Sequence, residues 1–441
     1  MKALIRGGTV LAMDDAATEC LADVRVRGPL VTEVGPGLAA EPDEVVVDAR
    51  GMVVMPGFVQ THIHLCQTLF RNLADDLSLL EWLAERIWPL EGAHTAASLR
   101  ASAELGIAEL LLGGTTGIVD MGTVRHTHEV FEALLTGGLR AVAGKCMMDD
   151  PSAPEVLREG TDESLAESSA LAERWDGAAG GRIRYGYAPR FALSCTDELM
   201  REVARRARAA GQFVHTHSSE NKDEIRIVRE RSGRTNVMHL AELGIRGPRT
   251  VLAHCVHLDD DEITELARAG TRVSHCPSSN LKLGSGIADV PQLQAHGVHV
   301  SLGADGAPCN NRLDMWTEMR TAALIQKPRH GPTAMPASHV LRMATRGGAE
   351  AIGLGDRLGQ VRAGFLADLQ VVRLDDISDG PGGRMASRLV YAATRRSVVH
   401  VMVDGELLVH QGRLVRWDRD GIIERAQAEL AGCIARAGVS V

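Results

Sequence analysis

Lysine is scarce, with five residues in 441, so arginine supplies nearly all the positive charge among 48 basic side chains. Against 57 acidic residues the formal charge is −9. No dense basic stripe is available to neutralise phosphates, which argues against a nucleic-acid binder. Long apolar runs are also missing. The strand-like run Met1 to Leu11 is followed by Asp14 and Asp15, well short of the ~20 residues a bilayer span requires, so no membrane or secretory segment is expected. The eight cysteines contain no C-x-x-C, which leaves neither a thiolate zinc site nor a disulfide framework; reduced thiols and a cytoplasmic location are expected. G-x-S-x-G, H-E-x-x-H and P-C-x-x-C are all absent, Pro308-Cys309 being followed by Asn310-Asn311-Arg312. The glycine turn Gly35-Pro36-Gly37 leads into another strand, not a helix, and so does not read as a nucleotide-binding loop.

What remains is an ordinary globular composition, 45% hydrophobic and 24% charged, on a chain long enough for two or three domains or one large barrel with an added module. Short strands fill the first 55 residues: Ala3–Ile5, Val10–Met13, Val24–Arg27, Val31–Val34 and Val45–Asp48, with Gly-Gly and Gly-Pro punctuation. The same texture returns at Ala367–Val372, Val398–Val403 and Leu407–His410. Between these ends, apolar runs alternate with helical spacing: Val53–Thr61, Gly117–Met121, Ala141–Met147, Arg182–Ala188, Gln212–His217, Thr250–Cys255, Thr271–Cys276 and Val298–Gly303. Eight strand-then-helix units predict an α/β fold, a (β/α)8 TIM-type barrel over residues 56–359. A small β-sandwich-like domain is expected from 1–55 with 360–415, and a C-terminal helix in 416–441. The long connection from Cys66 to Ala97, carrying Trp82, Trp88 and Glu91, reads as a cover over the barrel's catalytic face.

The chemistry gathers at the carboxyl ends of the strands. In Thr61-His62-Ile63-His64, alternation puts both imidazoles on one strand face about 7 Å apart, within reach of one metal ion. Two histidines packed in a barrel mouth would explain that pattern alone. They do not explain His217, His254 and Asp305 at the ends of later strands, because a barrel brings all its strand ends to one site. Imidazoles plus a carboxylate suit a divalent ion, zinc first, with iron or manganese able to take the same donors. Such an ion lowers the pKa of its water toward neutrality and so supplies hydroxide. Glu220, three residues past His217, is placed to protonate a substrate ring nitrogen while hydroxide attacks. Asp305 can take the remaining proton, and His254 can orient the hydroxide or stabilise developing charge.

In combination, P-G-F-V-Q-T-H-I-H, H-S-S-E, A-H-C-V-H-L, H-C-P-S-S-N-L-K-L-G-S-G and L-G-A-D-G-A resemble the amidohydrolase superfamily, in its mononuclear deaminase and chlorohydrolase branch. The resemblance implies His62, His64, His217 and Asp305 as metal ligands, with Glu220 and His254 handling protons. His215 then fills the barrel interior, and His257 is structural. His275 either lines the pocket or is held by hydrogen bonds. The superfamily's second metal usually comes with a bridging group, often a modified lysine at the fourth strand, and Arg182–Arg190 has no lysine; Lys145, on the third strand, reads as structural.

Pocket residues point two ways. Gln67 and Arg190 resemble the purine-reading pair of guanine deaminases, whereas Trp82 and Glu91 are spaced as in deaminases of methylthioadenosine, S-adenosylhomocysteine and 5′-deoxyadenosine, where the acid grips ribose. Those enzymes carry His and Met at the positions of Arg190 and Gln67. The expected activity replaces an exocyclic amine of a purine-like heterocycle by oxygen, on guanine, a pterin or an adenine nucleoside. Hydrolysis of an s-triazine is the runner-up, and opening of a cyclic amide a third reading. A non-catalytic scaffold would have lost a strand-end donor or Glu220. The implied partners are one small heterocyclic substrate and further copies of the chain, with neither nucleic acid nor membrane.

Overall fold

The computed structural model describes residues 1–439. Eight parallel strands appear in the expected order: Phe58–His64, Thr115–Met121, Arg140–Gly144, Ile183–Pro189, Phe213–Ser218, Thr250–His254, Arg272–His275 and Val300–Leu302. The ring closes just after the eighth strand, where Asp305 pairs with Ile63 and Gly306 with His64. Both faces of these strands are covered, which is why Thr115–Met121 is buried at every position, Asp120 included.

The single strand expected over Val53–Thr61 is two. Met52–Pro56 belongs to the other sheet, and the barrel begins at Phe58. Gly57 makes the crossing because a Cβ there would lie 2.1 Å from Thr116 Cγ2, so any side chain would force the chains apart. The reverse correction applies at the amino terminus. Ala3–Ile5 and Val10–Met13 are parts of one strand, Lys2–Leu11, bulged between Ile5 and Gly8 where Gly7 takes φ +72°.

The second sheet has nine strands drawn from both chain ends. Its seam is the antiparallel pair Met52–Pro56 with Leu369–Arg373, and a separate core including Ile5, Val24, Val54, Val371 and Met402 packs against it. Buried Arg140 on the third barrel strand ties the layers together, with Nε 2.7 Å from Asp368 Oδ2 and Nη2 3.0 Å from Asp404 Oδ1. The connection after the first barrel strand is ordered: a 3-10 turn over Leu65–Phe70, then helical residues from Leu79 to Gly92 with a π segment at Leu83–Ile87. The helix Arg419–Ala437 docks on its far end, Arg436 Nε donating to Ala93 O. No helix among the described residues is long and apolar enough to cross a membrane.

Candidate active site

Strand alternation and barrel closure bring His62, His64, His217, His254, Asp305 and Glu220 to one point. All are buried except His217, which is partly covered. His62 Nε2 and His64 Nε2 lie 3.1 and 3.3 Å from Asp305 Oδ1, and His64 Nε2 is 3.2 Å from His217 Nε2. His254 Nε2 sits 3.4 Å from Glu220 Oε2 and 3.9 Å from Asp305 Oδ2. One donor atom from each of His62, His217, His254 and Asp305 falls within 4.8 Å of the others.

The rings are oriented from behind. His64 Nδ1 donates to Met121 O at 2.9 Å and His217 Nδ1 to Arg190 O at 2.7 Å. Carbonyls only accept, so both rings carry their proton on Nδ1 and present bare Nε2 lone pairs to each other. Burial holds both imidazoles below their usual pKa, His217 well below, so no additional proton bridges them. Two lone pairs this close repel unless positive charge lies between or beside them. His62 Nε2 is likewise buried with no aligned hydrogen-bond partner, burial pushing that ring down to about 4. Burial alone would raise Asp305, but His62, His254 and His64 pull it well below the ordinary carboxylate range. Neutral imidazoles around a carboxylate are a donor set for a divalent cation, and these residues fit one.

Proton-handling groups adjoin this set. Burial pushes the Glu220 carboxyl up to about 7, against the opposing pull of His254. Burial alone would lower His254, but Glu220 and Asp305 raise it. The backbone is strained here as well: His254 and Asp305 adopt φ +72° and +63°, and Ser219 and Cys255 are also left-handed. Each such residue costs on the order of 1–3 kcal/mol, a burden that surrounding bonds hold in place. Among those bonds, Gly306 N–H donates to Asp305 Oδ1 at 2.7 Å and Cys255 N–H to Ser218 O at 3.0 Å.

The centre opens into a narrow pocket, with Gln67, Arg190 and an apolar wall of Leu79, Trp82, Leu83, Phe191 and Leu283. The cover helix supplies Leu79, Trp82 and Leu83. Glu91 is not on this lining. Its Oε1 accepts from Gln67 Nε2 at 2.8 Å and its Oε2 from Arg190 Nη1 at 2.8 Å, a closed buried trio. Burial would raise Glu91, but Arg190 holds it below its ordinary value. Gln67 Oε1 and Trp82 Nε1 have no partner.

His215 lies inside the barrel, 2.8 Å from His62 Nδ1, and His257 Nε2 donates to Ser285 O. Lys145 is buried against Glu159. His275 is buried with neither ring nitrogen paired, and it does not line the cavity. Sequence reasoning gave no role to Ser279, whose hydroxyl donates to Asp305 Oδ2 at 2.5 Å, or to Asn280, whose Oδ1 accepts from His254 Nδ1 at 2.8 Å. It also missed Glu224, which accepts from the Glu220 N–H at 2.9 Å. The H-C-P-S-S-N motif was the available signal for the first two; nothing local marks Glu224.

The family model described as the amidohydrolase family matches residues 53–408. Among curated relatives, a 5′-deoxyadenosine deaminase of Methanosarcina mazei is 38% identical over 98% of each chain. A 5-methylthioadenosine/S-adenosylhomocysteine deaminase of Haloarcula marismortui is 38% identical over 99% of each. Among solved structures, an adenosine deaminase from Xanthomonas campestris with bound zinc superposes with a TM-score of 0.92 at 31% identity, covering 98% of each chain. An atrazine chlorohydrolase from Arthrobacter aurescens complexed with zinc gives 0.91 at 27%, covering 97% of this chain and 100% of that one. The guanine deaminase of E. coli gives 0.82 at 29%, covering 92% and 99%.

Proposed function

The chain belongs to the amidohydrolase family, and from that premise we propose that it is a metal-dependent hydrolytic deaminase that converts an exocyclic amine of a purine-like heterocycle to the oxo product with release of ammonia. Adenine nucleosides such as 5′-deoxyadenosine and methylthioadenosine are the first substrates to test, on the strength of the relatives' names. Guanine and pterin follow, because Gln67 and Arg190 line the cavity. The centre takes a divalent ion, for which zinc is our assignment, held by His62, His64, His217 and Asp305. When bound, that ion supplies acidified water at neutral pH.

The chain's own groups do the rest. Glu220, with its carboxyl held near neutral pH, carries a proton to the ring nitrogen next to the carbon under attack. Asp305, ionised at the start, takes the remaining proton of the attacking water, and that proton passes through Glu220 to the departing amine, which leaves as ammonia, so one water proton ends on the ring nitrogen and one on ammonia. His254 Nε2, held by Asn280 and facing Glu220, balances the charge that develops between them. The apolar wall excludes bulk water and stacks a flat ring. All eight cysteines are free, which supports the cytoplasmic location.

The observation that carries this reading is Glu220: a buried, nearly neutral carboxyl beside the inward-facing imidazoles, at the polar end of the cavity. Chloride leaves a triazine without a proton, whereas ammonia needs one, so such an acid favours the amine. The likeness to an atrazine chlorohydrolase keeps triazine hydrolysis as the second reading. The test is ammonia release from 5′-deoxyadenosine, methylthioadenosine, guanine and pterin by metal-replete protein, with Glu220→Gln as control. Turnover abolished in the control is the expected result. Silence on all four substrates with metal bound sinks the purine reading and moves the search to triazines.

A further inference from the structure

Three inward imidazoles are fixed from behind by oxygen acceptors: the carbonyls of Met121 and Arg190 for His64 and His217, and Asn280 Oδ1 for His254. His62 is the exception. Its Nδ1 lies 2.8 Å from Nε2 of another imidazole, His215, whose own Nδ1 is buried without a partner. A carbonyl can only accept, but a neutral imidazole nitrogen accepts or donates according to its tautomer. The pair therefore has two arrangements.

In the first, His62 Nδ1–H donates to a bare His215 Nε2, and His62 Nε2 offers its lone pair to the centre. His215 must then carry its proton on Nδ1, where nothing accepts it. In the second, His215 Nε2–H donates to a bare His62 Nδ1. His62 then carries its proton on Nε2, 3.1 Å from Asp305 Oδ1, and His215 is left with only an unused lone pair at Nδ1. The Nε2–H of the second arrangement is out of line with Asp305 Oδ1 but within reach of its negative charge, whereas the Nδ1–H of the first faces no acceptor, so the pair on its own favours the second arrangement. Only the first can bind a cation. Each ring holds one proton in both arrangements, so the exchange changes neither charge nor proton count.

We propose that His215 is a positioning residue for His62, and that the two rings exchange tautomers together when a divalent cation enters, making His62 a conditional donor among otherwise preset ones. The inference rests on the metal-centre reading above.

Two measurements on the full chain test it. In ¹⁵N-histidine NMR, chelator-treated protein should show His62 and His215 protonated on Nε2, and zinc-reloaded protein should show both on Nδ1. Identical tautomers in the two states overturn the proposal. In chelator competition, His215→Phe should weaken zinc binding by about 10–100-fold, the range for lost outer-shell partners. His215→Gln, whose side chain can turn an amide oxygen to His62 as acceptor, should stay closer to wild type, within about threefold. A Phe variant that is merely less stable, with wild-type zinc affinity, also overturns the proposal. Wild-type protein that takes up no stoichiometric zinc would overturn the metal-centre reading itself, a different failure from either of these.

Discussion

Two buried polar clusters lie side by side at the mouth of the barrel and are built on opposite principles. The Gln67–Glu91–Arg190 trio is closed around its charges, with both carboxylate oxygens of Glu91 occupied and acid and guanidinium neutralising each other, and only the uncharged Gln67 Oε1 left over. The neighbouring centre is open: His62 Nε2 has no aligned partner, two imidazole lone pairs face each other, and Glu220 is held near neutral pH against its solution preference. Burial acts on both clusters. In the trio an opposite charge answers it, whereas in the centre it is left to shift the titration of single groups. The contrast teaches which atoms await a ligand and which shape the wall around it.

The comparison can be broken most severely at its open side. Glu220→Gln keeps the shape but removes the ionisable proton, and should lower the rate of ammonia release by about 10²–10⁴-fold with metal content unchanged. A variant retaining more than a tenth of the activity would place the acid elsewhere. At the closed side, Arg190→Met strands a buried carboxylate and should destabilise the fold by about 3–5 kcal/mol in denaturant titration. Adding Glu91→Gln should recover much of that loss. If both singles and the double are equally unstable, the trio is not an isolated charge balance.

A pH series sharpens the contrast further. Glu220 rises from an ordinary 4.5 to about 7 on folding, so between those values the folded protein holds a proton that the unfolded chain has released. Its contribution is therefore fully present below pH 4.5 and is lost as pH climbs toward 7, by about 3 kcal/mol at 1.36 kcal/mol per pKa unit. Chelator-treated wild type should lose stability across that window relative to Glu220→Gln, and turnover by the loaded enzyme should fall above about pH 7. A flat difference between the two proteins would remove the buried proton from the account. The smallest effect belongs to Trp82→Phe. This change deletes an N–H that has no partner in the fold but also trims a buried ring, and should cost about 1 kcal/mol of stability, while raising KM if that donor meets substrate.

Much of this was legible in the sequence, for reasons that can be stated residue by residue. The barrel strands announced themselves because burial on both faces demands apolar runs, and the donors stood out because His64, His217 and His254 end such runs. The turn at Gly57 was hidden: Val53–Thr61 is equally apolar on both sides of it, and only the approach of Thr116 requires the glycine. The bulged first strand was misdivided because Gly7 and Gly8 read as a turn when no pairing partner is in view. The pocket was harder still. Glu91 read, by its spacing from Trp82, as an acid that grips ribose, and nothing local indicates that Arg190, 99 residues away, occupies it.

The sequence by itself thus determined the kind of chemistry, because strand alternation is a local property that carries donor side chains to strand ends wherever the strands go. The tertiary structure alone decided which donors are paired and which are left open. That depends on the register in which the eighth strand returns to the first, on the descent of the cover helix over Arg190, and on a second imidazole arriving behind His62 from a strand 153 residues later. Hydrogen-bond partners and pKa values are set within a few ångströms by groups remote in the chain, and no spacing rule reaches that far.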